Sequence, residues 1–260
     1  MEIIQANEAF KRTDQGLKFS HVKYLVKYEG GLYYGKWNDR HEPPTAFSQL
    51  DDIKKVKTED RGPNISPGWS QIYIKTPPVL AYVQRSEADL EEDIRREVSV
   101  CEILKQNPHR NIAIYYGCQE LNGRVSGLCF KRYASTLEEQ VNPGHLNKDA
   151  FRSSRIVDDT VIAALPGILA GIEHLHSLGL VHNDINPSNI MLDEDDTPVL
   201  IDFGSCRYVG ESLRGTGAGR TPYWYDPAVE IAESQNDLDA YDEIRRWLIG
   251  DAKEEFLFTS

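Results

Sequence analysis

The chain has 260 residues, with 29 basic and 41 acidic side chains and a formal net charge of −12. That length fits one large domain or two small ones, and 40% hydrophobic with 27% charged residues excludes wholesale disorder. The acid excess argues against nucleic acid or anionic membrane as partners, since both need clustered Lys and Arg.

From the first residue, Met1-Glu2-Ile3-Ile4-Gln5 lacks the basic and then apolar character of a signal peptide. His21–Tyr28 and Leu32–Trp37 flank Glu29-Gly30-Gly31 and predict a β-hairpin. Residues 38–69 are polar, with Pro43-Pro44, Gly62-Pro63 and Pro67-Gly68, and read as a long irregular connection. Gln71–Lys75 alternates like a short strand stopped by Pro77-Pro78.

Glu87–Lys105 is the first strong helix. Leu90, Ile94, Cys101 and Leu104 make one apolar stripe, and Glu97 falls inside it. An acid there is costly unless it is paired or reaches water at the stripe's edge, and periodicity leaves both open. Asn111–Tyr116 and Val125–Tyr133 read as strands around Asn122-Gly123.

After Asp158 the character changes. Val161, Leu165, Ile168, Leu169, Ile172 and Leu175 make a long amphipathic helix, bent near Pro166. Its uncharged stretch, Thr160–Ile172, is 13 residues, short of the roughly 20 that span a bilayer. Two short apolar segments, Asn189–Leu192 and Pro198–Asp202, surround the acidic turn Asp193–Asp196. Residues 204–222 form a Gly-, Ser-, Thr- and Arg-rich loop, and Leu238–Ile249 is a final helix. The composition shift near 134–137 suggests two lobes. The four cysteines form no C-x-x-C pair, which points to free thiols in a reducing compartment, the cytoplasm or nucleus.

The chemistry concentrates in His182-Asn183-Asp184-Ile185-Asn186-Pro187-Ser188-Asn189 and Asp202-Phe203-Gly204. Asp184 and Asn189 are five apart, Asn189 and Asp202 thirteen apart. Any one of these is an ordinary turn residue. Together they offer hard oxygen ligands for magnesium and a further Asp able to accept a proton from a hydroxyl.

At these residues the chain resembles the eukaryotic protein kinase family. His182-Asn183-Asp184 stands where the family has H-R-D, Asn189 matches its catalytic-loop Asn, and Asp202-Phe203-Gly204 matches D-F-G. Thr221-Pro222-Tyr223-Trp224-Tyr225-Asp226-Pro227 is similar to the end of an activation segment, and Asp237-Leu238-Asp239-Ala240 to the helix anchoring the catalytic loop. Ile72-Tyr73-Ile74-Lys75 resembles the V-A-I-K strand, and Glu97 lies 22 residues further on at the place of its glutamate partner. The Lys75 reading competes with a solvated edge-strand lysine.

The resemblance implies an α+β, bilobal kinase-like fold. A β-rich lobe with one helix would occupy 1–133, with 1–69 as an extension carrying a hairpin, and a shortened, mostly helical lobe would occupy 134–260. It implies ATP and Mg as cofactors, a protein substrate, and phosphoryl transfer to a Ser/Thr hydroxyl. Asp184, Asn186 and Thr221 would be catalytic. Lys75, Glu97, Arg132 and Ala134 would bind nucleotide, with 132–134 as the hinge, and Asn189 and Asp202 would hold the metal.

Four departures bear on this. Only Gly62 and Gly68 precede Lys75 where the family has a glycine-rich loop; Asn186 replaces a lysine; Asn183 replaces the arginine that pairs with a phosphorylated activation loop; and Ala228 replaces the glutamate of A-P-E. The third predicts that phosphorylation at Ser205, Ser212, Thr216 or Thr221 is no on-switch acting through position 183. A nucleotide-binding or scaffolding pseudokinase and a small-molecule kinase are the alternatives.

Overall fold

The computed structural model describes residues 1–13, 16–56, 72–76, 86–121, 123–154, 157–215, 219–251 and 253–258. Asn122, Thr216, the Pro77-Pro78 stop and the stretch around Gly62 and Gly68 lie outside them.

The first 56 residues form their own antiparallel sheet, in the order β1 (Glu2–Thr13), β2 (Gly16–Tyr28), β3 (Gly31–Trp37) and β4 (Asp51–Val56). The expected hairpin is β2–β3. Glu29 and Gly30 both have positive φ, 47° and 74°, the conformation that matches a two-residue turn to strand twist. Period-two alternation divides its apolar residues. Val22, Tyr24 and Val26 pack with Leu50 in one cluster, while Leu25 and Tyr34 pack with Val56 in another. β1 and β4 are findings. Their mixed charged and apolar sequences gave no clean alternation, and β4 falls inside the supposed irregular connection.

A second antiparallel sheet has the order β5 (Ile72–Lys75), β7 (Arg124–Lys131), β6 (Tyr115–Leu121), with Lys75 opposite Leu128. Helix α1 (Glu87–Gln106) starts where the Ser86 side chain accepts from Asp89 N. Its Val100, Cys101 and Leu104 join Tyr115, Leu128 and Phe130.

Short elements follow: β8 (Ser135–Thr136), α2 (Leu137–Val141) with a Thr136–Glu139 capping box, and α3 (Lys148–Ser154). Helix α4 (Asp159–Ser177) continues through Pro166. Beyond it come β9 (Leu180–Val181), β10 (Ile190–Leu192), β11 (Pro198–Leu200), β12 (Arg207–Tyr208) and α5 (Ser234–Ile249). One continuous core runs from α1 and the second sheet through α4 and β9–β11 to Ile244, Trp247 and Leu248 of α5. Among the described residues, the N-terminal sheet contributes nothing to that cluster.

Gly167 and Gly171 of α4 set how closely the loop before β6 and β11 approach. A Cβ on Gly167 would meet Pro198 Cγ at 2.7 Å, and one on Gly171 would meet Asn111 O at 2.9 Å. Asn111 uses this closeness. Its side chain donates to Pro198 O (2.7 Å), and its carbonyl accepts from Leu200 N (2.9 Å).

Candidate active site

The loop after β9 is hung from one buried carboxylate. Asp237, in the first turn of α5 and fully buried, accepts from His182 N (2.8 Å), Asn183 N (2.8 Å) and His176 Nε2 (2.9 Å). His182 is itself fully buried. Its Nε2 donates to Ile201 O (3.0 Å), which leaves Nδ1 to accept from Asp184 N (3.3 Å). Asp184 therefore leaves the loop at a fixed angle.

Its carboxylate is held at both oxygens, with room left at Oδ2 for a further donor. Oδ1 accepts from Thr221 N (2.7 Å) and Asn186 Nδ2 (3.2 Å), and Oδ2 accepts from Asn189 Nδ2 (2.8 Å). Asn186 Nδ2 also donates to Thr221 Oγ1 (3.0 Å). Four predicted site residues are thus one hydrogen-bonded group. Burial raises the Asp184 pKa, against the lowering effect of the Thr221 N–H.

The second group centres on Lys75. Its ammonium donates to Glu97 Oε1 (2.7 Å) and Asp202 Oδ1 (2.8 Å). Burial alone would lower the Lys75 pKa, but the two carboxylates outweigh it and raise it. Glu97 is raised by burial, which Lys75 offsets only partly, whereas Lys75 overcomes burial at Asp202 and lowers it. Glu97 is therefore the paired acid of the α1 stripe, and Lys75 is not a solvated edge lysine.

The two groups meet through the β10–β11 ladder. Ile190 pairs with Leu200, and Ile201 N donates to Asn189 O (3.0 Å), setting Asn189 beside the strand that leads to Asp202. Because Asn189 Nδ2 is turned to Asp184, its Oδ1 points away and accepts nothing among the described residues; Asp202 Oδ2 likewise carries no bond. Two unspent hard oxygens next to a lysine suit a divalent cation that takes few protein ligands and completes its shell with phosphate and water. Asp202 sits at φ 61°, a left-handed conformation for a non-glycine residue.

Arg132 and Ala134 join neither group. Both are exposed beyond the end of β7, and the Arg132 guanidinium turns back to Ile72 O (3.1 Å).

The family model described as protein kinase domain matches residues 79–242. The chain belongs to that family. Serine/threonine-protein kinase Tao of Drosophila melanogaster is 28% identical over 174 residues, 66% of this chain and 15% of that protein. Myosin-IIIb of Mus musculus is 31% identical over 168 residues (63% and 12%), and Misshapen-like kinase 1 of Rattus norvegicus 28% over 190 residues (67% and 13%). The chain therefore matches less than a fifth of the length of each of these relatives. The family match begins after Lys75, so that residue's place rests on its bonds to Glu97 and Asp202.

Within this kinase fold several structural residues escaped the sequence reading. Asn183, where the family carries arginine, donates to Val181 O (3.0 Å) and Ser205 O (3.4 Å) and accepts from Asn236 Nδ2 (3.1 Å). Ser205 Oγ donates to Gly219 O (2.8 Å). Lys148 and Glu243 form a buried ion pair. Glu243 had a legible signal, since it lies between Ala240 and Ile244 on the buried stripe of α5, as Glu97 does on α1. Asn111 had none, and Asn183 and Ser205, though legible as a departure from the family's arginine and as a loop hydroxyl, gave no sign of these partners, because single polar loop residues look alike until the chain is folded.

Proposed function

We propose that the protein transfers the γ-phosphoryl of ATP, with magnesium, to a Ser or Thr hydroxyl of a protein. The observation that carries this is the assembly of Lys75 with both Glu97 and Asp202 beside a separately held Asp184. Phosphoryl transfer asks mainly for positioning and charge neutralisation, and these residues supply both. Asp184 orients the hydroxyl and takes its proton. Lys75, aimed by Glu97, holds the α- and β-phosphates. Asn189 and Asp202 would hold magnesium, which when bound neutralises charge on the phosphates. Residues 132–134 present hinge backbone to adenine. On this reading 1–133 is the amino-terminal lobe, with 1–69 as an extension, and 134–260 the carboxyl-terminal lobe. An intracellular setting agrees with four free cysteines.

Regulation by activation-loop phosphate is not required on this reading. A neutral amide at 183 ties the catalytic loop to Ser205, and Ser205 ties the loop's start to Gly219. These bonds do what an arginine–phosphate pair would otherwise do.

One observation favours a second reading, a nucleotide-binding module without transfer. Asn186 brings hydrogen bonds but no charge to the place where a lysine would neutralise the developing phosphoryl charge. The test measures magnesium-dependent ATP consumption and acceptor phosphorylation with a basic protein such as histone, for wild type and Asp184→Asn. Activity that disappears in the variant and on chelation supports transfer. Equal background rates, with a Tm rise on adding Mg-ATP to both proteins, support the second reading.

A further inference from the structure

The segment just past Thr221 is held by a buried cation that takes no part in the site described above. Lys148, first residue of α3, has a side chain only 12% exposed, and Glu243 on α5 is fully buried. The ammonium donates to Glu243 Oε1 and to the carbonyl of Tyr223, with a longer contact to Phe258 O at 3.5 Å. It also lies 4.3 Å from the Trp224 ring centroid and 5.1 Å from that of Phe256. The Glu243 carboxylate is completed by Leu257 N (2.7 Å) and Phe258 N (3.3 Å). One ion pair thus joins α3, α5, the segment after Thr221 and residues 257–258.

A second, independent feature sits at the same place. Tyr223 has φ 70°, a conformation that a bulky side chain resists, and it is 44% exposed. Backbone strain of this kind persists where surrounding contacts over-determine it. Here the strained residue's own carbonyl is the one Lys148 takes.

Position gives the arrangement its purpose. Thr221 N bonds the Asp184 carboxylate, and Pro222, Tyr223, Asp226 and Pro227 are exposed immediately beyond. On the phosphoryl-transfer reading, these exposed residues therefore adjoin the place where an acceptor hydroxyl meets Asp184. We propose that Lys148, with Glu243, is a positioning residue for the protein acceptor: the pair fixes the backbone at Tyr223–Trp224 as the platform on which the acceptor chain lies. The acceptor half of this rests on the phosphoryl-transfer reading of Asp184, while the platform itself does not.

Removing Lys148 alone strands a buried carboxylate, so the decisive variant is the double change Lys148→Met with Glu243→Gln. It leaves no buried charge and keeps an acceptor for the Leu257 and Phe258 amides. In the full chain, with Mg-ATP and histone as probes, the acceptor KM should rise about tenfold, the worth of one hydrogen bond to a charged group, while the ATP KM holds. Amide hydrogen exchange should speed up over residues 219–231 and stay unchanged in α4. Lys148→Arg, which keeps the charge and donors, should restore both. Unchanged exchange over 219–231 overturns the platform, and faster exchange with an unchanged acceptor KM overturns its role toward the acceptor. If the wild type shows no Asp184-dependent transfer, the transfer reading fails, and exchange alone decides whether Lys148 holds the platform.

Discussion

The pairs Lys75–Glu97 and Lys148–Glu243 are built from the same parts and do different work. In each, a glutamate on the apolar stripe of a helix is met by a lysine from another element. Lys75 is 24% and Glu97 10% exposed, whereas Lys148 is 12% and Glu243 0% exposed. Their titration differs in sense. Lys75, between two carboxylates, is raised despite burial, while Lys148, with one, is lowered because burial wins. The first pair keeps its cation at an open edge with an additional acid alongside, as a ligand site needs. The second is closed around backbone groups, as a strut needs. Pairing a buried acid is thus common to both, and what surrounds the lysine separates chemistry from support.

The sharpest test of that contrast starts at the acid that belongs to neither pair. Asp184→Asn should lower phosphoryl transfer by roughly 10²–10⁴, the worth of a positioned general base. Its folded pKa is raised, so the fold binds this proton more tightly than the unfolded chain does, and ionisation at neutral pH works against stability. The variant should therefore keep or raise Tm by thermal melt while losing activity. A large fall in both would remove the separation between catalysis and support.

Next come the lysines. Lys148→Met should cost about 3 kcal/mol, the lower end for stranding a buried charge. At a few degrees per kcal/mol in a chain of this size, that lowers Tm by about 10 °C. Lys75→Met should lower Tm less than Lys148→Met, because Asp202 and the lysine itself reach water, yet lower kcat/KM for ATP by about a hundredfold. Reversed sensitivities would break the comparison.

The pH profile is subtler. If Asp184 is the proton acceptor proposed above, it must be ionised, so kcat/KM should fall with acid through a pKa above the ordinary 3.8. Asp202, held low by Lys75, stays ionised through the same range. Asp184→Asn should remove this limb along with the activity.

The smallest expected effect is that of phosphatase treatment, less than about twofold in rate, since the buried amide at 183 leaves a loop phosphate no arginine there to engage. Asn183→Arg, followed by the same treatment, should make the rate depend on phosphate.

Much of the candidate site's grouping was legible because its residues lie in spaced sets. Asp184, Asn189 and Asp202 share a short stretch, and Glu97 betrayed itself as an acid in an apolar stripe. Lys75 was legible by its distance from Glu97. Glu243 shows the same pattern and went unread, for lack of a lysine at a telling spacing: Lys148 lies 95 residues away. In the first sheet, β2 and β3 announced themselves by a Gly turn between Tyr- and Val-rich runs. β1 is exposed along nearly all its described side chains, so no face of it had to be apolar.

The fastening of the loop after α1 has a mechanical consequence. Asn107 O accepts from His174 Nε2 (2.8 Å), His109 stacks on His174 with ring centroids 4.7 Å apart, and Asn111 grips β11. The C-terminal end of α1 is thereby riveted to α4, and any swing of the helix must turn about that end. Glu97 lies ten residues up the shaft from Asn107, about 15 Å at 1.5 Å per residue. A tilt of about 15° there carries its carboxylate about 4 Å, farther than the bond to Lys75 can stretch. The helix is a lever whose fulcrum lies against α4, and a tilt about that end would disengage the lysine.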